Sequence, residues 1–177
     1  MNLMVKRAAI YDPYLDTLGG GERYCLTVAE ILLKHGYKVD LFWSGKQDLI
    51  EKAEQRFSLN LKGLNLVKDI FQIKPHQIDL FEEKQNLFNV INRSLNTRKI
   101  HQKVTTFINK LKETSKYDVL FYLGDGSIPI VFAKQNFLHI QVPFSNQKSN
   151  FSKLISKSNL LLFSKIICNS EFTAKFK

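Results

Sequence analysis

VKRAAIYDPYLDTLGGGERYCLTVAEILLKHGYKVDLFW, residues 5–43, holds three patterns in succession. Residues 5–11 read as a strand that ends at Asp12-Pro13, where proline removes a backbone donor. Gly19-Gly20-Gly21 then breaks the chain into a turn. From Gly21 or Glu22 to His35, Leu26, Ala29 and Leu33 recur at helical spacing, and Cys25, Val28 and Leu32 widen the stripe. Lys34 and His35 suit the negative end of the helix dipole, and Gly36 suits the left-handed cap. Residues 37–43 read as a second strand. Strand, helix and strand make a βαβ unit, with parallel strands and a right-handed crossover.

Outward from this unit the same alternation continues. Residues 46–57 predict a helix and 64–67 a short strand. Residues 69–96 have a poor pattern, broken by Pro75, with a partial helix over 84–93. Asn96 or Thr97 can cap a stronger helix running to Thr114. Its stripe is Ile100, Val104, Phe107, Ile108 and Leu111, and its other face holds Arg98, Lys99, Lys103, Lys110 and Lys112. A buried strand over 117–123 closes at Gly124-Asp125-Gly126-Ser127. Another over 137–142 stops at Pro143. Residues 153–162 read as helical, 165–168 as a last short strand, and a helix starts at about Glu171. Strands alternating with helices predict an α/β fold: a three-layer, Rossmann-like domain with a mainly parallel sheet. No repeat or low-complexity linker divides it, so residues 1–177 read as one domain.

Composition narrows the function. Apolar residues are 44 % of the 177, which builds a core and excludes a disordered chain. The net charge of +10 favours anionic partners: nucleic acid, acidic lipid or phosphorylated small molecules. The basic residues are dispersed and no nucleic-acid reader motif is present, which sets nucleic acid aside. Cys25 and Cys168 form no metal-ligand or redox pair and read as buried thiols in a reducing cytosol. The N-terminus has Lys6 and Arg7 but no apolar core of a signal peptide. Apolar runs such as 160–163 fall far short of the roughly 20 residues of a spanning helix. A cytoplasmic protein is the expectation.

Four places carry candidate chemistry. Gly19, Gly20, Gly21 and Glu22 lie between a strand and a helix, where glycines admit a ligand to the backbone and helix N–H groups face a phosphate. The dinucleotide fingerprint does not fit, because its third glycine is Tyr24 and Asp40 is mid-strand. An unliganded turn, with Glu22 serving the helix dipole, is the plainer alternative. Asp125 closes a central strand and is either a hydroxyl ligand or a turn former. His139 and Gln141 share one face of a strand, where buried polar groups need partners; a cleft or a backbone carbonyl would serve. Ser170 and Glu171 follow the last strand, Ser170 as an N-cap. His35 is explained by the helix end, and His76 and His101 have no companions. No metal site is expected.

In this order and spacing, the pieces resemble the N-terminal domain of glycosyltransferase family 4. They are Ala8–Pro13 with Gly19-Gly20-Gly21-Glu22-Arg23, then the strand to Asp125, His139 to Pro143, and Asn169 to Thr173. Many members carry the histidine two residues before the proline, where this sequence has Gln141. The resemblance implies half of a GT-B architecture, two Rossmann-like domains facing across a cleft. It implies an acceptor-side domain, with the donor-binding C-terminal domain absent from these residues and the chain inactive alone. It implies a retaining transfer of a hexose from a nucleotide-sugar co-substrate, without metal or other cofactor, to a glycan or lipid-linked acceptor. His139 and Asp125 would be catalytic. Gly19, Gly20, Gly21, Glu22, Gln141, Ser170 and Glu171 would bind substrate, with Gly20 and Gly21 near the diphosphate. The sequence stopping at Lys177, just inside a helix, reads as an incomplete half. A different class remains open: a non-catalytic α/β module binding a phosphorylated ligand or partner chain. The 97–114 helix reads as core-facing with a solvated lysine face, or as a peripheral contact with an anionic membrane at its inner face.

Overall fold

The computed structural model describes residues 5–71, 97–124, 128–141 and 158–171. Six strands are present among them: β1 (Arg7–Tyr11), β2 (Lys38–Phe42), β3 (Asn65–Val67), β4 (Val119–Gly124), β5 (Gln135–Ile140) and β6 (Lys165–Cys168). Three helices accompany them: α1 (Gly20–Lys34), α2 (Leu49–Phe57) and α3 (Thr97–Thr114). The strands form one sheet in the order β3-β2-β1-β4-β5-β6, and every pairing is parallel. This is the α/β, Rossmann-like arrangement that the alternation predicts, with its order reversing between β1 and β4.

Each face of the sheet has its own core. Ala8, Ile10, Val39, Leu41, Phe121 and Leu123 turn toward Cys25, Leu26 and Ala29 of α1 and Leu49 and Ala53 of α2. Ala9, Tyr11, Phe42, Leu120, Tyr122, Leu138 and Ile140 turn the other way. On that second face Phe71 packs edge-on against Phe42 and Tyr122, and Phe107 of α3 meets Phe132. Because both faces are covered, strands read as continuous apolar runs, as parallel strands do. Burying each Leu or Ile contributes roughly 1.5–3 kcal/mol.

The α1 terminus follows from its residues. Gly36 has φ 77°. Its N–H donates to Leu33 O and that of Tyr37 to Leu32 O, closing a Schellman motif that only a left-handed residue allows. The His35 ring bonds Ile31 O at 2.8 Å, so it belongs to the helix end.

Several expectations shift. β1 begins at Arg7, leaving Val5 exposed. β4 begins at Val119, and Tyr117 turns aside to donate to Asp40. β5 runs two residues earlier than read, because polar Gln135 and Asn136 belong to it. The Asn136 amide is held by Ala133 O and Leu162 O. The α3 stripe is the main correction. Val104, Phe107, Ile108 and Leu111 are 39–53 % exposed rather than core-facing. The 84–93 helix, most of 153–162, and Asp125 with its turn lie outside the described residues. Among the described residues no helix is long and apolar enough to cross a membrane.

Candidate functional site

Parallel register places the carboxyl ends of β1, β4, β5 and β6 on one rim. Such a rim, at the reversal of strand order, is where open α/β sheets bind ligands. The glycine loop stands on it. Gly19 is the N-cap of α1, and no side chain caps the helix. The helix N–H groups of the first turn therefore face outward without the usual Ser, Thr or Asp oxygen. Glu22 reaches back to accept the Gly19 N–H, half of a capping box.

The three glycines differ in what they need. A Cβ on Gly21 would stand 2.1 Å from Nε2 of Gln141, so that side-chain amide lies against the bare backbone. A Cβ on Gly19 would meet Glu22 Oε2 at 2.9 Å. A Cβ on Gly20 would meet nothing within 4 Å. Packing thus accounts for Gly19 and Gly21, while nothing in the fold itself requires Gly20 to lack a side chain.

His139 lies beside this loop. It is 2 % exposed, with Tyr24 of α1 over it at 4.3 Å between ring centroids and Phe121 at 6.0 Å. Its Nε2 pairs with Oδ1 of Asn169 at 2.5 Å, across from the end of β6. Its Nδ1 is buried and has no hydrogen-bond partner among the described residues. Burial lowers the ring's pKa and the Asn169 bond works the other way, leaving the pKa below its ordinary value. The structure thus joins Gly21 to Gln141 and α1 to His139. Ser170 and Glu171 follow Asn169 and are exposed, with a helix beginning at Glu171.

Sequence reading missed three residues here. Tyr24 counted only against the dinucleotide fingerprint, yet its ring covers His139. Asn169 stood only as the head of a cap motif. Asp12, read as punctuation before Pro13, is 1 % exposed at the tip of β1. One of its oxygens accepts the Tyr14 N–H at 2.9 Å. The other, Oδ2, has no hydrogen-bond partner among the described residues. Burial first, then the nearby carboxylates of Glu22 and Asp16, raise its pKa to about 7. Burial also pushes the neighbouring Cys25 thiol well up, so that thiol is inert. A strand end whose Asp faces the first turn of the next helix is the signal that would have found it.

These groups suit hydrogen bonding more than charge neutralisation. The wall offers backbone N–H groups, an amide at Gln141, a neutral imidazole and a carboxyl that holds its proton near neutrality. Arg23 is the cation on the first turn of α1, while Glu22 and Asp12 lie beneath it. No known protein family, curated protein or solved structure matches this chain.

Proposed function

We propose that this chain is the acceptor-side half of a nucleotide-sugar-dependent, retaining glycosyltransferase of GT-B type. It would work with a donor-binding domain across the cleft and transfer a hexose to a glycan or lipid-linked acceptor. The observation that carries this reading is the uncapped start of α1, laid against Gln141 and beside His139 on one rim. Such a wall presents donors and acceptors to a polyhydroxylated ligand over a bare backbone. A wall alone cannot hold two substrates in line, and orientation supplies much of the rate. The chain by itself is therefore expected to be inactive.

In this reading Gly20 leaves space for the ligand, Gln141 and Glu22 shape the loop, and His139 contacts the transferred sugar. The two carboxyls below the loop mean that a donor diphosphate must be neutralised mainly from the opposite wall. The exposed apolar face of α3, on a chain of net charge +10, supports peripheral docking on an anionic membrane.

The test is turnover by the complete gene product. UDP-, GDP- and ADP-sugars are offered and hydrolysis or transfer is followed. Gly20→Val, which the fold accommodates, is expected to abolish turnover while the far-ultraviolet spectrum and melting temperature stay unchanged. A chain that folds, binds a ligand and turns over no nucleotide-sugar in the complete protein is instead a binding module. Unchanged activity in Gly20→Val removes the glycine loop from the mechanism.

A further inference from the structure

His139 makes one of its two ring contacts within the described fold. Nε2 lies against Oδ1 of the Asn169 amide, and in that orientation the oxygen only accepts, which calls for the hydrogen on Nε2. In a neutral imidazole the other nitrogen is then a bare lone pair. That nitrogen is Nδ1, buried and without a hydrogen-bond partner among the described residues. An unmet acceptor in a ring this enclosed costs free energy unless a ligand supplies a donor. The ring is held from above by Tyr24, so it is not free to turn and spend Nδ1 elsewhere.

We propose that Asn169 is a positioning residue that locks His139 in the Nε2–H tautomer, committing Nδ1 as an acceptor for a ligand hydroxyl. A lone pair takes a donor, so this point of the wall selects a neutral hydroxyl and rejects a fully ionised phosphate. The ligand class rests on the transferase reading; the tautomer lock does not.

The tautomer is read directly. The chain is labelled with 15N-histidine, and long-range proton–nitrogen correlations show which nitrogen of His139 is protonated. The expected result is a protonated Nε2 and a bare Nδ1 at neutral pH. Asn169→Ala is expected to give a mixture of tautomers. Asn169→Asp, supplying a carboxylate at the same place, is expected to raise the pH at which the ring takes its second proton. A merely structural asparagine would leave the tautomer unchanged in Asn169→Ala. A protonated Nδ1 in the wild-type chain overturns the inference, and so does an unchanged tautomer in Asn169→Ala. Should Asn169→Ala fail to fold, the wild-type spectrum decides. Glucose and inorganic phosphate are then titrated as separate probes. A shift of Nδ1 with glucose alone supports the hydroxyl subsite; a shift with phosphate, or with neither, overturns it. A complete enzyme that ignores every nucleotide-sugar, beside an Nε2–H tautomer, removes the transferase reading and leaves the lock standing.

Discussion

Asp40 and Asp12 are both 1 % exposed, on one sheet, and they are treated in opposite ways. Asp40, toward the amino ends of the strands, has both oxygens met. Arg7 and Tyr117 donate to Oδ2 at 2.8 and 2.9 Å, and Asn65 donates to Oδ1 at 2.8 Å. Burial works against its charge, but these bonds outweigh burial and hold its pKa below the usual carboxylate value. Arg7 Nε has no hydrogen-bond partner among the described residues, yet the guanidinium pairs with Asp40 and lies 5.0 Å over the Tyr117 ring. Asp12, at the carboxyl rim, has one oxygen met and a pKa raised to about 7. The first arrangement stabilises the fold. The second destabilises it, and a costly group at a strand tip beside a helix N-terminus is what the proposed ligand end would hold.

The sharpest way to break this contrast is to remove each carboxylate. Asp40→Ala takes the acceptor from a partly exposed Arg7 and from the Tyr117 and Asn65 donors, three bonds to a buried carboxylate, and is expected to cost about 3–5 kcal/mol. Urea unfolding at pH 7 checks it; a loss below about 1 kcal/mol would make the amino-end network ornamental.

Asp12→Asn should act in the other direction. A carboxyl whose native pKa rises from 3.8 to about 7 costs the ionised native state at most about 4 kcal/mol. The native state binds the extra proton between these values, so wild-type stability falls as pH rises from about 4 through 7. Asp12→Asn is expected to flatten that slope and to gain about 2–4 kcal/mol at pH 8, fading near pH 4. Melting temperatures at the two pH values read it. A variant that loses stability at pH 8 would show Asp12 to be a structural residue.

Smaller effects sharpen the picture. Gly21→Ala must displace the Gln141 amide, the end of a flexible side chain, and is expected to cost about 1 kcal/mol or less. On the proposed function, turnover by the complete gene product should fall more than stability, since the displaced amide lies against the glycine loop. Equal small losses in both would separate Gln141 from the ligand. The least structural effect is expected at Ile108→Glu on α3. Ile108 is exposed, so stability should change by less than about 0.5 kcal/mol. Cosedimentation with vesicles containing phosphatidylglycerol should drop. Retained binding would clear α3 of a membrane role.

The core of the fold was open to reading because its signals are local. The β1–α1–β2 unit needs only the apolar run before Pro13, the stripe from Cys25 to Leu33 and the cap at Gly36. What failed needed neighbours. Period alone finds the apolar face of α3 but not whether anything lies against it. The start of β5 was hidden by Asn136, a polar strand residue whose amide is met by the carbonyl of Ala133 and by that of Leu162, distant in the chain. The place of the glycine loop between β1 and α1 was legible from spacing, and His139 from its strand, while Gln141, read as part of that strand, lies just past the end of β5. Asn169 was not legible, because it gains its meaning from His139 on another strand, and Asp12 was not, because its burial is set by the packed fold.

The contrast between the two ends of the sheet is tested most directly by mapping backbone amide shifts of the 15N-labelled complete gene product during titration with UDP-glucose and GDP-mannose. Gly20, Gly21, His139 and Asn169 should move with at least one of them, while Arg7, Asp40 and Tyr117 stay still. Shifts centred on Arg7 and Asp40, with the glycine loop silent at saturating ligand, would place the ligand site at the wrong end of the strands.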